Sequence, residues 1–184
     1  MLNRLAVALV HYPVLNRRNE VVASAVTNLD LHDIARTCRT FGVGRFFVVT
    51  PVKEQQKVVE QILEHWLHGY GSMHNPDRCS AFQLLETVAD LETARERWSE
   101  KHSRPARIIV TSAKSPQGLN GQDCQHLLAE EPLLLVLGTG SGLAPEIIDQ
   151  SFETFQSIQG VVDYNHLPVR AAAAIILDRI FTGR

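Results

Sequence analysis

Residues 133–143 read Leu-Leu-Leu-Val-Leu-Gly-Thr-Gly-Ser-Gly-Leu, an apolar run that passes directly into a glycine-rich loop. Consecutive apolar residues are typical of a strand that is buried on both faces of a parallel sheet. Glycine has no Cβ, so such a loop lets backbone amides approach a small ligand closely. Pro145 and Glu146 follow, and both residue types are favoured in the first turn of a helix. The segment therefore predicts a strand, a loop and a helix, with a candidate ligand site at the loop.

The glycine loop alone does not identify its ligand. It reads G-x-G-x-G, whereas a dinucleotide-binding loop reads G-x-G-x-x-G in a first βαβ unit, and a Walker loop ends in Gly-Lys-Ser/Thr. Both nucleotide functions are therefore disfavoured. A tight strand-to-helix turn without any ligand accounts for roughly half of such loops taken singly.

Further apolar runs and helical periodicities surround this unit and predict the class of the fold. Strands are predicted at residues 5–10, 46–50, 107–111, 133–137 and 158–162. Helices are predicted at residues 30–42, 54–68, 81–102 with a break near Asp90, 122–130, and from Pro168 onwards, whereas residues 70–77 read as a loop. This alternation predicts an α/β fold with a largely parallel sheet and flanking helices, expected to form one domain over residues 1–184.

Three strand ends are predicted to meet at one edge of this sheet. They are Thr111-Ser112, the glycine loop at 138–143, and residues 158–167. Ligands of parallel α/β sheets bind outside the carboxyl ends of the strands, so this edge is the predicted site.

Composition and charge restrict the classes of function. The chain of 184 residues is 45% hydrophobic and 21% charged, with a formal net charge of −2, so no global field attracts nucleic acid. Arg17 and Arg18 form the densest positive spot of the N-terminal half, and either a solvated loop or a phosphate contact explains them. The 3 cysteines are widely spaced, which predicts neither a disulfide framework nor a zinc site and fits a reducing cytoplasm. No apolar run has the length of a membrane span, and no cluster of ligand residues has the spacing of a metal site.

The C-terminal motifs carry a resemblance to a known family. The glycine loop, together with Asp-Tyr-Asn-His-Leu-Pro-Val-Arg-Ala-Ala-Ala-Ala-Ile at 163–175, resembles the motifs of SPOUT RNA methyltransferases. In the SpoU branch, an Ile is followed eight residues later by Ser-Leu-Asn-Val-Ser-Val-Ala-Ala-Ala-Ile. The positions that keep this pattern are Ile158, Leu167 and Val169, and those that depart from it are His166 for the first Ser, Pro168 for the Asn and Arg170 for the second Ser.

A second segment of likeness lies near the N-terminus. Residues 30–36 resemble the first SpoU motif, Asn-x-Gly-x-Ile-x-Arg, whose Arg belongs to the active site. Ile34 and Arg36 match this motif, whereas Asp30 replaces the Asn and His32 replaces the Gly. Over most of its length the chain is similar to a bacterial SPOUT branch with a short His-Tyr-Pro-Val segment, here at 11–14.

The resemblance implies an S-adenosylmethionine-dependent RNA methyltransferase that acts on tRNA or rRNA. It implies a Rossmann-like SPOUT fold whose C-terminal trefoil knot covers residues 108–182, and a homodimer through the C-terminal helix, where the small residues at 171–174 suit close packing. The residues implied to bind the cofactor are Thr111, Ser112, Leu137, Gly138, Gly140, Gly142, Leu143, Ile158, Gly160, Leu167 and Ala172. Arg36 and His166 are the expected catalytic residues, and Arg17 and Arg18 are the candidate RNA contacts.

The acceptor atom and two competing functions are left open by the sequence. A ribose hydroxyl would need a cation such as Arg36 to stabilise its developing charge, whereas a ring nitrogen would need a general base, for which Asp163 is the candidate carboxylate. The competing functions are a nucleotide-dependent α/β enzyme and a catalytically inactive SPOUT-fold module that binds RNA or protein.

Overall fold

The computed structural model describes residues 3–150 and 153–183. Its strands are β1 (Leu5–Val10), β2 (Val14–Leu15), β3 (Val21–Val22), β4 (Arg45–Val49), β5 (Leu85–Val88), β6 (Arg107–Thr111), β7 (Leu133–Gly138) and β8 (Glu153–Phe155). Its helices are α1 (Asn28–Thr40), α2 (Lys53–Leu67), α3 (Tyr70–His74), α4 (Pro76–Phe82), α5 (Leu91–His102), α6 (Gly121–Glu130), α7 (Pro145–Gln150) and α8 (Val169–Thr182).

The central sheet has six strands in the order β5-β4-β1-β7-β6-β8, and each neighbouring pair is parallel. The predicted α/β class with a parallel sheet is therefore confirmed. Strands β1 and β7 lie at the centre, paired from Leu5 with Leu133 to Val10 with Gly138. Strands β2 and β3 form a separate antiparallel hairpin directly after β1. The glycine loop thus leaves the sheet beside the hairpin that follows β1.

Both faces of the central strands are covered, which explains their uninterrupted apolar sequences. One face of β1, with Leu5, Val7 and Leu9, packs in a cluster that includes residues of α1, α6 and α8. The other face, with Ala6, Ala8 and Val10, packs in a cluster that includes residues of α5 and α7. Helix α8 therefore lies on the same side of the sheet as α1 and α6.

Three predicted elements are wrong. Residues 70–77, predicted as a loop, are helical in α3 and the start of α4. The predicted helix at 81–102 contains strand β5, since Leu85 and Val88 have helical spacing but pair with β4 instead. The last strand is β8 and not residues 158–162, where Val161 and Val162 are exposed to solvent. Strand β8 reads Glu-Thr-Phe and buries only its Phe, so its hydrophobic signal is weak.

Within residues 3–150 and 153–183, no helix is long and apolar enough to cross a membrane. The same residues contain no group of three or more His, Cys, Asp or Glu side chains that could hold a metal ion. The cysteines are free thiols, and Cys38 and Cys124 are buried.

Candidate functional site at the carboxyl edge of the sheet

The segments predicted to form the site follow three adjacent strands, β7, β6 and β8. The hydroxyl of Thr111 donates a hydrogen bond of 3.0 Å to the carbonyl of Val136, which joins the ends of β6 and β7. The amide of Ser157 donates to the carbonyl of Ser115 at 2.8 Å. The side-chain amide of Asn165 donates to Ala113 at 3.3 Å. The structure therefore brings the segments after β6 and β8 together at the same edge as the glycine loop.

The glycine loop is held by the segment that follows β1, a contact that no sequence pattern indicates. We call residues 11–15 the clasp. The amide of Ser141 donates to the carbonyl of Leu15 at 2.8 Å, and the amide of Leu15 donates to the carbonyl of Gly142 at 2.9 Å. The amide of Ala144 donates to the carbonyl of Pro13 at 3.3 Å. These bonds involve only backbone groups, so no residue type in the sequence predicts them.

The loop glycines have different roles. Gly140 has φ +62°, and a Cβ at this position would lie 2.8 Å from the carbonyl oxygen of Leu15. Its lack of a side chain is therefore required by the clasp itself, whatever ligand binds. Gly142 has φ +122°, and a Cβ there would meet no atom within 4 Å. The open space beside Gly142 fits a ligand that approaches the loop backbone.

A chain of side-chain hydrogen bonds also joins the clasp to the glycine loop. The hydroxyl of Thr139 donates to the carbonyl of Val10 at 2.9 Å, so it accepts from the hydroxyl of Ser24. The Ser24 oxygen then accepts from the Nδ1–H of His11 at 2.9 Å. This order makes Nε2 the unprotonated nitrogen of His11, and Nε2 is buried with no hydrogen-bond partner among the described residues. Burial lowers the pKa of His11 to about 4, although the nearby charge of Asp30 acts in the opposite direction.

We expect His11 to make the folding stability depend on pH. The folded pKa of about 4 lies below the ordinary value of 6.5, so the unfolded chain binds the extra proton between these values. The free energy of unfolding therefore has its full value above pH 6.5 and falls by about 3 kcal/mol as the pH approaches 4. Urea unfolding at a series of pH values should show a shallower loss in His11→Asn, whose amide can replace the Nδ1–H donor. His126→Asn, which changes an exposed histidine, should keep the wild-type profile, and identical slopes in wild type and His11→Asn would contradict this role.

Several other predicted site residues lie in the exposed segment between β8 and α8. His166 and Gly160 are exposed, Leu167 is 43% exposed, and Ile158 packs against the core. Ala172 is half-buried in α8. The segment borders the predicted edge, and the ligand contacts of these residues stay predictions.

The predicted RNA contacts lie close to the clasp in sequence. Arg17 and Arg18 are exposed in the turn of the β2–β3 hairpin, directly beyond Leu15. Their side chains are therefore accessible next to an element that holds the glycine loop.

Arg36 lies in a different place from the other predicted residues. It lines a groove of about 330 Å³ between α1 and α8, together with Asp33, Thr37, Thr40, Phe41 and Ala174. At a helical rise of about 1.5 Å per residue, Arg36 lies about 9 Å along α1 from Asp30. Within the described residues, no hydrogen bond or ion pair joins Arg36 to His166. The two predicted catalytic residues are thus not connected directly within this chain.

A second groove of about 720 Å³ lies on another side of α8. Its lining residues come from the start of α6, from β8 and the segment after it, and from α8, and they are Asn120, Gly121, Phe155, Gln156, Ser157, Gln159, Ala174, Ile175, Asp178 and Arg179. Ala174 lines both grooves. Helix α8 therefore presents a ridge at Ala174 with an open groove on each side.

Arg170, at the start of α8, makes ion pairs that connect the two segments of family likeness. Its Nη1 lies 3.3 Å from Oδ1 of Asp30, and its Nε lies 3.4 Å from Oδ2 of Asp33. The hydroxyl of Thr27 donates to the other oxygen of Asp30 at 2.7 Å. No sequence pattern indicates this cluster, because Arg170 and Asp30 are separated by 140 residues.

Comparison with known proteins identifies the class of this arrangement. A family model described as SAM-dependent RNA methyltransferase matches residues 4–182. A protein of Aquifex aeolicus without a stated function is 31% identical over 179 residues, which cover 96% of this chain and 87% of the relative. The tRNA (guanine-N(1)-)-methyltransferase of Oleidesulfovibrio alaskensis is 40% identical over 173 residues, which cover 94% of this chain but only 41% of the relative. This chain thus spans less than half the length of that relative.

Solved structures show the same fold at low sequence identity. The SpoU methyltransferase AviRb from Streptomyces viridochromogenes, in complex with AdoMet, aligns with a TM-score of 0.61 and 16% identity over 97% of this chain and 57% of its own. The A. aeolicus TrmH/SpoU tRNA modifying enzyme aligns with a TM-score of 0.57 and 17% identity over 99% of this chain and 76% of its own. The sheet and its helices are therefore those of SpoU methyltransferases.

The chain belongs to the SAM-dependent RNA methyltransferase family, because the family model covers nearly its whole length. The description of this family names S-adenosylmethionine as the cofactor and RNA as the substrate. The predicted family, with its cofactor and class of reaction, is confirmed, and the nucleotide-dependent alternative receives no support.

Proposed function

We propose that this enzyme methylates a ribose hydroxyl of tRNA, as a homodimer in the cytoplasm. The names of two relatives and of one structural neighbour support tRNA as the substrate class. The two relatives are named for methylation of guanine at N1. This chain covers only 41% of their length, so their acceptor atom is not assigned to it.

The observation that carries the proposal is the free state of Arg36. Among the described side chains, no carboxylate lies within ion-pair distance of its guanidinium, while Asp30 and Asp33 on the same helix are bound by Arg170. A free guanidinium can stabilise the negative charge that develops on a ribose oxygen. A ring nitrogen would instead need a carboxylate base, and both acids of α1 are paired with Arg170, which leaves the exposed Asp163 as the candidate base. The free cation on the motif helix therefore supports ribose chemistry, and base methylation through Asp163 is the alternative.

The cofactor fits the open space beside the glycine loop. The lack of any atom within 4 Å of a Cβ on Gly142 leaves room for a ligand against the loop backbone. We assign the binding surface to the loop, to Thr111 and Ser112, and to the segment from Ile158 to Leu167, with main-chain groups as the polar contacts. When bound, S-adenosylmethionine supplies an activated methyl group, so the protein need only align the acceptor and stabilise its charge. A trefoil knot over residues 108–182, within a single domain of residues 1–184, is part of the proposal.

The position of Arg36 supports a dimeric site. Arg36 lies in the groove beside α8, whereas the glycine loop lies at the carboxyl edge of the sheet. We propose that the Ala174 ridge of α8 packs against a second copy of the chain, and that Arg36 completes the partner's site. Arg17 and Arg18 would contact phosphates of the same RNA, and His166 would border the acceptor.

Ala174→Arg is expected to convert a dimer into monomers, because a long cation would enter an interface built on small residues. Sedimentation velocity at micromolar concentration checks this result. Ala129→Arg, at an exposed position of α6, should leave the assembly unchanged. Ala173 is fully buried within its own chain, so an arginine there would test folding and not assembly. A monomeric wild type, or a dimeric Ala174→Arg variant, would contradict the proposed interface.

The acceptor is tested by tritium transfer from S-[methyl-³H]adenosylmethionine to tRNA from cells that lack the gene. A methyl group on a ribose 2′ oxygen blocks alkaline cleavage at that nucleotide, so the label is expected in dinucleotides after hydrolysis. Label in mononucleotides would instead show base methylation, as the names of the longer relatives suggest. Cofactor binding by calorimetry without transfer to any RNA would support the inactive binding module.

A further inference from the structure

We propose that Arg170 is a positioning residue that keeps the guanidinium of Arg36 free by binding the two carboxylates on the same helix. The proposal rests on the role assigned above to Arg36. It explains why a cation stands at a motif position where SpoU enzymes have a serine.

Asp33 is the carboxylate with which Arg36 would be expected to form an ion pair. The two residues are three positions apart on α1, a spacing at which opposite charges on a helix can pair. Both line the groove between α1 and α8. However, Asp33 pairs with Arg170 at 3.4 Å, and Arg36 has no ion pair within the part of the chain that the structure describes. The arginine from α8 therefore takes the partner that Arg36 would otherwise bind.

Asp30 fixes Arg170 in this position. Asp30 is buried, and its carboxylate accepts from the Thr27 hydroxyl at 2.7 Å and pairs with Nη1 of Arg170 at 3.3 Å. A buried carboxylate is costly unless it is paired, so Asp30 holds the guanidinium firmly. The planar fork of arginine can reach two carboxylates at once through Nε and Nη1, which an ammonium group cannot do in the same way.

The two departures from the SpoU motifs are thus parts of one arrangement. Asp30 replaces a neutral Asn on α1, and Arg170 replaces a neutral Ser on α8. The added negative charge and the added positive charge meet in the folded chain. The ion pairs also join the start of α8 to α1 beside the groove that holds Arg36.

The test is Arg170→Gln, which replaces the guanidinium with a neutral amide, so that Asp33 and Asp30 lose their ion pairs while Asp30 keeps the hydrogen bond from the Thr27 hydroxyl. We expect kcat/KM for tRNA to fall by about tenfold while the Kd for S-adenosylmethionine stays within about twofold. Adding Asp33→Asn to this variant should restore kcat/KM to within about threefold of wild type, because Arg36 is then free again. Asp33→Asn alone should be nearly fully active. Arg39→Gln removes an exposed cation of α1 that has no ion pair among the described residues, and it controls for the loss of positive charge.

Two outcomes would overturn the proposal. One is full activity in Arg170→Gln. The other is a double variant no more active than Arg170→Gln, which would mean that Arg170 itself contacts the RNA.

A readout that does not depend on activity separates this proposal from the proposed function. The ¹⁵Nε–H resonance of Arg36 should shift in Arg170→Gln, as the guanidinium pairs with Asp33, and return in the double variant. If wild type transfers no methyl group to tRNA, the proposed function fails, and this resonance still reports the pairing. An unchanged resonance in Arg170→Gln would overturn the positioning role.

Discussion

Arg36→Ala is expected to lower the rate of methyl transfer to tRNA by about 10²-fold, equivalent to about 2.7 kcal/mol of transition-state stabilisation. The reason is that the variant removes the one cation of the α1–α8 groove that no described carboxylate neutralises. The affinity for S-adenosylmethionine should stay within about twofold, because the glycine loop and its clasp are unchanged. Single-turnover transfer and calorimetry measure the two quantities separately.

Two variants test the specificity of this effect. Arg36→Lys should recover little activity if the guanidinium makes two directed hydrogen bonds, since an ammonium group cannot reproduce the planar fork. Arg39→Ala, one turn further along the same helix, should remain near wild type. Full activity of Arg36→Ala on the identified tRNA would show that the likeness of residues 30–36 to the SpoU motif has no catalytic meaning.

The sequence predicted the centre of the fold because the central strands have a strong physical signature. Strands β1 and β7 are covered on both faces, so every residue from Leu5 to Val10 is buried and the run is uniformly apolar. Edge strands lack this signature. Strand β5 has only two buried residues at helical spacing, and β8 has one, so tertiary pairing decided their structure against the local pattern.

The site was predicted less completely than the fold, and for different reasons. The clasp holds the glycine loop through backbone hydrogen bonds, which no residue type encodes. The Arg170 cluster depends on the packing of α8 against α1 and joins residues that are 140 positions apart. Spacing in sequence suggests that Arg36 and the glycine loop act together, but it does not indicate that Arg36 lines the α1–α8 groove while the clasp holds the glycine loop.

Gly140→Val is expected to abolish cofactor binding, with a loss of about 100-fold or more in affinity. A branched side chain is strained at φ +62°, and its Cβ would lie 2.8 Å from the Leu15 carbonyl, so the loop must leave the clasp. Calorimetry with S-adenosylmethionine measures the loss. Ser141→Ala removes only an exposed side chain from the same loop and should bind the cofactor normally. Normal affinity in Gly140→Val would mean that the loop is a turn without a ligand.

Gly140→Val and Arg36→Ala, each inactive alone, should restore activity when one chain of each forms a mixed dimer. In a mixed dimer, the Gly140→Val chain supplies Arg36, and the Arg36→Ala chain supplies an intact glycine loop. One of the two sites is then complete if Arg36 acts on the partner's site. Random pairing of equal amounts makes half of the dimers mixed, so co-refolded protein should reach about one quarter of wild-type activity. If Arg36 acts within its own chain, each mixed dimer contains one site without Arg36 and one without cofactor, and the mixture should remain as inactive as its parents.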